Sequence, residues 1–236
     1  MLKFQKNSKV LVVVAHPDDE VIGLGGTINK MTVEYNCDAR CIILGEGITS
    51  RGNKRDIKNW EKELVTHRHN IKQASKFIGY NKTKAFDFPD NRFDSVDLLD
   101  FVKVIEKEKN EFKPEIVFTH HSDDLNIDHR ITFNAVMTAC RPLKGESIRS
   151  ILTFETFSST EWQEYSIAKV FMPNVFVEIS KINLNSKLRA MESYKYEKRK
   201  YPHPRSSEAL EVFAKRWGIV VGKKYAEAFK LIRNII

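Results

Sequence analysis

The sequence is poor in the features that mark membranes, secretion or nucleic-acid binding. No apolar run approaches the roughly 20 residues needed to cross a bilayer, and Met1-Leu2-Lys3-Phe4-Gln5-Lys6 lacks the apolar centre of a signal peptide. A cytoplasmic location is the resulting expectation. Only three cysteines occur, Cys37, Cys41 and Cys140. They form no Cys-x-x-Cys pair, which argues against a disulfide framework and for small buried thiols. There is no zinc finger, no aromatic strand of the RNA-recognition type and no basic tail, so nucleic acid is not expected as a partner. Internal repeats, low-complexity tracts and linkers are also missing, and one domain over 1–236 is the economical reading.

What is present suits a globular enzyme. The chain has 236 residues, 42% of them hydrophobic and 30% charged, with a formal net charge of +8. That length can bury a large core. The basic residues are densest at 51–58, 103–113 and 195–205. They form either a solvated basic surface or a field that attracts an anionic small-molecule substrate.

Apolar strands alternate with helical patterns. Lys9–Ala15 and Ala39–Leu44 are continuous apolar runs, as expected of parallel strands covered on both faces. Thr83–Phe88 and Glu115–Thr119 complete four strands. The helices expected between and after them are Val21 to about Glu34, Asp56–Ile78, a helix capped by Ser95 and ending near Phe112, and His129–Cys140. In the long helix, Trp60, Leu64, Ile71, Ala74 and Phe77 suit an inner face, and His67 and His69 read as surface residues. Beyond Pro142 the pattern predicts strands at Ile148–Glu155 and Asn174–Ile179, then helices at Lys181–Tyr194, Ser207–Trp217 and Tyr225–Arg233. Trp162 and Tyr165, in the irregular stretch between those strands, could stack on a sugar, but core filling is favoured. The fold class is therefore α/β: a Rossmann-like, mostly parallel sheet sandwiched by helices, with C-terminal strand and helical additions. Residues 1–142 form the core and 143–236 complete the substrate pocket.

Two polar motifs follow directly on the first and fourth strands. In a Rossmann-like order these strands are neighbours, and ligands bind beyond their carboxyl ends, where strand order reverses. The first motif is Ala15-His16-Pro17-Asp18-Asp19-Glu20. The second runs from His120-His121 through Asp124-Leu125-Asn126-Ile127-Asp128-His129-Arg130. Charge at the mouth of a buried strand is costly unless it binds something. Imidazoles and carboxylates suit a catalytic metal that keeps one position for water. The competing reading of the first motif is helix capping by Asp18 or Asp19. Arg51, Asp90, Asn91 and Arg92 lie on loops expected near the same edge, as hydroxyl- or phosphate-binding candidates or as solvated loop residues.

The first motif resembles the signature of the PIG-L/LmbE-like zinc-dependent N-deacetylases, and the second is similar to that family's second motif. Pro202-His203-Pro204-Arg205-Ser206 and Gly222–Phe229 also resemble its bacterial members. The resemblance implies His16, Asp19 and His129 as ligands of zinc or another divalent metal, Asp18 as general base, and an acetylated amino sugar as substrate. It assigns no chemistry to Glu20, which reads as a helix cap or as a support for a ligand. One departure stands out. Asn126 occupies a position where many members have histidine, and asparagine can donate to an oxyanion but cannot deliver a proton. The acid role then falls to His120, His121, His203 or the protonated Asp18, with Asp128 as the orienter of one of these histidines. His203 is also a candidate substrate contact. Amide cleavage of a thiol conjugate or another non-sugar amide, or binding of a sugar or a partner without turnover, are the other readings.

Overall fold

A computed structural model describes residues 4–167 and 169–236. Strand β1 (Lys9–Val14) sends alternate side chains to opposite faces. Val10, Val12 and Val14 enter one hydrophobic cluster, and Leu11, Val13 and Ala15 the other. That two-sided burial is why its sequence is a continuous apolar run. The remaining strands are β2 (Asp38–Gly45), β3 (Lys82–Phe88), β4 (Ile116–His120), β5 (Ser150–Phe154), β6 (Val175–Glu178) and β7 (Ala226–Asn234). Their order in the sheet is β3-β2-β1-β4-β5-β7-β6. The first five are parallel, and β7 is antiparallel to both β5 and β6.

The helices are α1 (Asp19–Ile22), α2 (Gly25–Tyr35), α3 (Glu61–Ile78), α4 (Leu98–Phe112), α5 (Ile127–Ala139), α6 (Lys181–Ser193) and α7 (Ser207–Val220). One face of the sheet carries Ile28 and Met31 of α2, Ile71 and Ala74 of α3, Leu184 and Met191 of α6 and Leu210 of α7. The other carries Phe101, Ile105 and Phe112 of α4 with Ala135 and Val136 of α5. No helix among the described residues is long and apolar enough to cross a membrane. Cys37, Cys41 and Cys140 are free, buried thiols.

Four expectations are corrected. Tyr225–Arg233 is not a helix; most of it forms β7. Its Ala, Glu and Lys content favours a helix, but the slot between β5 and β6 supplies ladder partners on both sides. Ala226 and Ala228 pack by Trp217, while Phe229 enters the main core, so successive side chains go to opposite faces and both faces are covered over 226–229. The helix expected over 21–34 is broken between α1 and α2. Gly23 lies against the Phe154 ring, where an added Cβ would stand 2.1 Å from Cδ2. Ser95 does not cap α4. It closes a 3-10 turn, its Oγ donating to the Arg92 carbonyl at 2.7 Å, and Asp97 takes the cap position. Trp162 and Tyr165 are 55% and 87% exposed rather than core residues.

Candidate active site

Strands β1 and β4 pair directly, and both motifs emerge at their carboxyl ends. His16 Nδ1, Asp19 Oδ2 and His129 Nε2 converge there. The three separations are 3.3 Å between the histidine nitrogens, 3.5 Å from Asp19 to His16 and 3.4 Å from Asp19 to His129. Zinc bonds of about 2.0–2.1 Å in a tetrahedron place neighbouring donors about 3.3–3.4 Å apart, so this donor set fits that ion. Asp19 and His129 are fully buried and His16 is nearly so. The Asp19 backbone begins α1, and its Oδ2 also accepts from the His16 amide at 2.8 Å, locking the turn that carries both groups.

Each histidine is held from behind. His16 Nε2 lies 2.9 Å from Asp128 Oδ2, and Asp128 Oδ1 accepts from the Phe93 amide at 2.9 Å. His129 Nδ1 lies 3.1 Å from Asp124 Oδ1. Asp124 is itself held by the hydroxyls of Ser159 and Thr160. Such contacts fix ring orientation and leave the opposite nitrogen facing the centre. The electrostatics favour positive charge at this point. Burial opposes protonation of His129, yet Asp19 and Asp124 raise its pKa to about 9. Burial likewise opposes charge on His16, but Asp128 and Asp19 hold its pKa well above the ordinary value. Burial would raise the Asp19 pKa, but the charge of His129 and the hydrogen bonds from His129 and His16 hold it well below the ordinary value.

Asp18 stands beside this group with φ of 107°, a backbone conformation side-chain-bearing residues rarely adopt. Its strain is held by local bonds. The Asp18 amide donates to Glu20 Oε2 at 3.0 Å, and Tyr194 Oη donates to Glu20 Oε1 at 2.5 Å. Glu20 thus supports the backbone of Asp18, and burial raises its own pKa to about 7. Both Asp18 carboxylate oxygens and Asp19 Oδ1 are buried without a hydrogen-bond partner among the described residues, although Arg205 Nη1 stands 3.2 Å from Asp18 Oδ2. Burial, only partly offset by Arg205, raises the Asp18 pKa well above the usual carboxylate range.

His16 and Asp18 open into a cleft of about 590 Å³ counting its open mouth. Arg51, Asp90, Asn91 and Asn126 line it, together with His67, Glu197, Arg199 and Arg205. Asn126 caps α5: its Oδ1 accepts from the Asp128 amide at 2.8 Å, and Nδ2 donates to Asn91 Oδ1 at 2.9 Å. A second amide proton on Nδ2 remains for a ligand. Asp90 Oδ2 accepts from the amide and hydroxyl of Ser50.

Other candidates lie elsewhere. His120 is buried under the centre, stacked on His129 with ring centroids 4.0 Å apart. Its Nε2 accepts from the Ala15 amide at 2.9 Å, and Nδ1 meets Thr156 Oγ1 at 3.1 Å. Burial lowers its pKa to about 3, so it is neutral. The structure does not bring His121 to the cleft; its Nε2 meets the Lys169 carbonyl at 2.9 Å and its ring packs on Phe171. His203 is turned aside, Nδ1 accepting from the Arg205 amide and its ring lying edge-on to Trp162. Arg92 does not line the cleft; its carbonyl closes the turn before α4. Asp128 orients His16 rather than one of these histidines. His67, expected on the surface, is 1% exposed and packs against Tyr194 and Tyr196.

Sequence reasoning passed over Asp124, Glu197 and Arg199, and gave Arg205 no role. Asp124 had a usable signal, five residues before His129 in the second motif. The other three lie about 180 residues beyond the first motif, and only the path of the chain after α6 brings them back.

The family described as GlcNAc-PI de-N-acetylase matches residues 11–140, which include both motifs. The chain is 26% identical over 195 residues to the uncharacterized deacetylase YaiS of Escherichia coli, covering 80% of this chain and 92% of that one. It is 27% identical to diacetylchitobiose deacetylase of Thermococcus kodakarensis, covering 98% of this chain and 86% of the relative. The structure of the zinc-inhibited form of teicoplanin deacetylase Orf2 superposes with a TM-score of 0.76 at 13% identity, covering 96% of this chain and 99% of that one, a likeness of fold. With more than half of its length matched, and with both sequence motifs meeting at one pair of strands, the chain belongs to the PIG-L family.

Proposed function

We propose that this protein is a metal-dependent hydrolase that removes the N-acetyl group from an amino sugar or its conjugate, an anionic one, and releases acetate. The observation that carries this reading is the triangle of His16, Asp19 and His129 with the buried carboxylate of Asp18 beside it. Those three residues would hold the ion, zinc by the donor spacing. When bound, zinc polarises an acyl oxygen and lowers the pKa of water toward about 7. Asp18 takes a proton from the attacking water, whose oxygen joins the acyl carbon. The C–N bond then breaks, and the proton held on Asp18 passes to the departing amine.

The surroundings support Asp18 in both roles. His120 has its Nε2 lone pair engaged by the Ala15 amide, and His121 and His203 face other partners. A raised pKa lets Asp18 hold a proton between the two steps. Asn126 donates its remaining amide proton to the oxygen that was the acyl carbonyl. Glu197, Arg199 and Arg205 line one side of the cleft, which supports a single domain whose C-terminal part completes the pocket.

The test is metal content together with acetate release from a panel of acetylated sugars. Asp18→Asn keeps stoichiometric metal and loses turnover by about 10²–10⁴-fold. Full activity in that variant sinks the assignment of Asp18. His129→Ala loses the metal, and stoichiometric zinc in it removes His129 from the ligand set.

A further inference from the structure

Charges along the cleft alternate from floor to rim, and then the alternation stops. Asp18 Oδ2 meets Arg205 Nη1, which donates to Glu197 Oε2 at 2.8 Å. The other Glu197 oxygen accepts from Arg51 Nη2 at 2.6 Å. Arg51 Nη2 also donates to the Tyr196 carbonyl at 2.8 Å, and Arg199 Nη1 donates to that same carbonyl at 2.6 Å. The two guanidinium nitrogens are therefore no farther apart than those two distances laid end to end. Only a neutral carbonyl stands between them. Glu197 is shared by Arg51 and Arg205, and among the described residues no carboxylate lies within ion-pair distance of Arg199.

Those two nitrogens are spent, Arg199 Nη1 also donating to the Lys198 carbonyl at 3.0 Å. Among the described residues, however, Nε and Nη1 of Arg51 and Nε and Nη2 of Arg199 make no hydrogen bond, and Arg51 shares its carboxylate with Arg205. Free donors and uncompensated positive charge at the rim suit an anion. A planar carboxylate is matched by one guanidinium fork, whereas a phosphate offers three acceptor oxygens and nearly two charges to donors arriving from two sides. The acid groups Asp18 and Asp90 line the deeper part of the cleft and repel an anion there, which leaves the rim.

We propose that Arg51 and Arg199 form a phosphate subsite at the rim of the cleft, so that the substrate is a phosphorylated, N-acetylated amino sugar bound with its acetamide at the floor. This rests on the amino-sugar reading above. It assigns the specificity to a residue pair outside both motifs.

The probes are N-acetylglucosamine 1-phosphate and 6-phosphate, against uncharged N-acetylglucosamine. Binding is read by calorimetry on the metal-loaded Asp18→Asn protein, and acetate release on the wild type. At least one phosphate is expected to bind 10-fold or more tighter than the uncharged sugar. Arg199→Gln should reduce that ratio at least 5-fold. Lys198→Gln, which removes the same charge from an exposed neighbour paired with Glu192, should keep it. Equal binding of charged and uncharged sugars overturns the proposal, as does an equal loss in the two variants. Calorimetry decides the subsite whether or not acetate appears. Failure of acetate release from every sugar tells against the deacetylase reading alone.

Discussion

Asp128 Oδ2 stands 2.9 Å from His16 Nε2, while the other nitrogen of that ring, Nδ1, faces His129 Nε2 at 3.3 Å. One carboxylate thereby fixes which imidazole nitrogen is free to act as a ligand. Asp124 does the same for His129 from the opposite side.

Removing either carboxylate should loosen the metal without removing a ligand. Asp128→Asn and Asp124→Asn are expected to weaken metal affinity by about 10–100-fold. Competition against a chromophoric chelator reads this directly. Asp128→Asn has a further readout, because the loss should be partly recovered at high metal concentration, whereas a misfolded variant would not recover.

The positive φ of Asp18 predicts an inversion of the usual ranking of alanine and glycine. Within ordinary helical or extended backbone, glycine is the less stable of the two. At φ 107° the order should reverse, with Asp18→Gly more stable than Asp18→Ala by about 1 kcal/mol. Chemical denaturation of the two inactive variants compares them without interference from turnover.

Glu155 predicts a slope of stability with pH. Its side chain accepts from Trp217 Nε1 at 2.5 Å in a buried setting. Burial raises its pKa to about 7, against the smaller opposing effect of that hydrogen bond. The folded state therefore holds this proton more tightly than the unfolded chain, whose carboxyl titrates near 4.5. The contribution is fully present below about 4.5 and fades as pH rises through 7. Glu155→Gln should flatten that decline, and unfolding midpoints measured between pH 4.5 and 8 check it.

Gly23 and Phe154 should behave as one packing unit. A methyl group at Gly23 meets the Phe154 ring, which also packs on His120 at 5.1 Å between centroids. Gly23→Ala is expected to cost about 1–3 kcal/mol. Adding Phe154→Leu should recover part of that loss rather than add to it, and a double-mutant cycle measures the coupling.

The parallel half of the fold was legible because burial on both faces leaves a plain mark, a run such as Val10–Val14 with no polar interruption. The meeting of the two motifs followed from the adjacency of β1 and β4. What was not legible depends on partners distant in sequence. Ala226–Asn234 has the composition of a helix and is a strand because β5 and β6 flank it. His67 carries no sequence mark of burial; Tyr194 and Tyr196 cover it from another element. The break falls at Leu24, whose φ of −151° leaves the helical region, next to a Gly23 packed against the Phe154 ring, more than a hundred residues away. Arg199 and Arg205 sit in a basic stretch that reads as solvated surface; of the two carboxylates that face Arg205, Glu197 lies in that stretch, but Asp18 comes from the first motif, nearly 190 residues earlier.

The position of β7 bears on how the molecule assembles. It is the last strand in the chain, yet it lies inside the sheet, and its Glu227 accepts from the amides of Gly26 and Thr27 and pairs with the buried Lys187. A chain emerging from the ribosome can close β1 through β5 early, but β6 has no ladder partner until β7 arrives. During that interval the N-terminus of α2 and the ammonium of Lys187 lack their shared anion. The acid and imidazole groups lie on the parallel part of the scaffold, whereas the wall from which Glu197, Arg199 and Arg205 project lies between α6, whose Lys187 pairs with Glu227, and α7, which packs on β7, so its support is complete only with β7 in place.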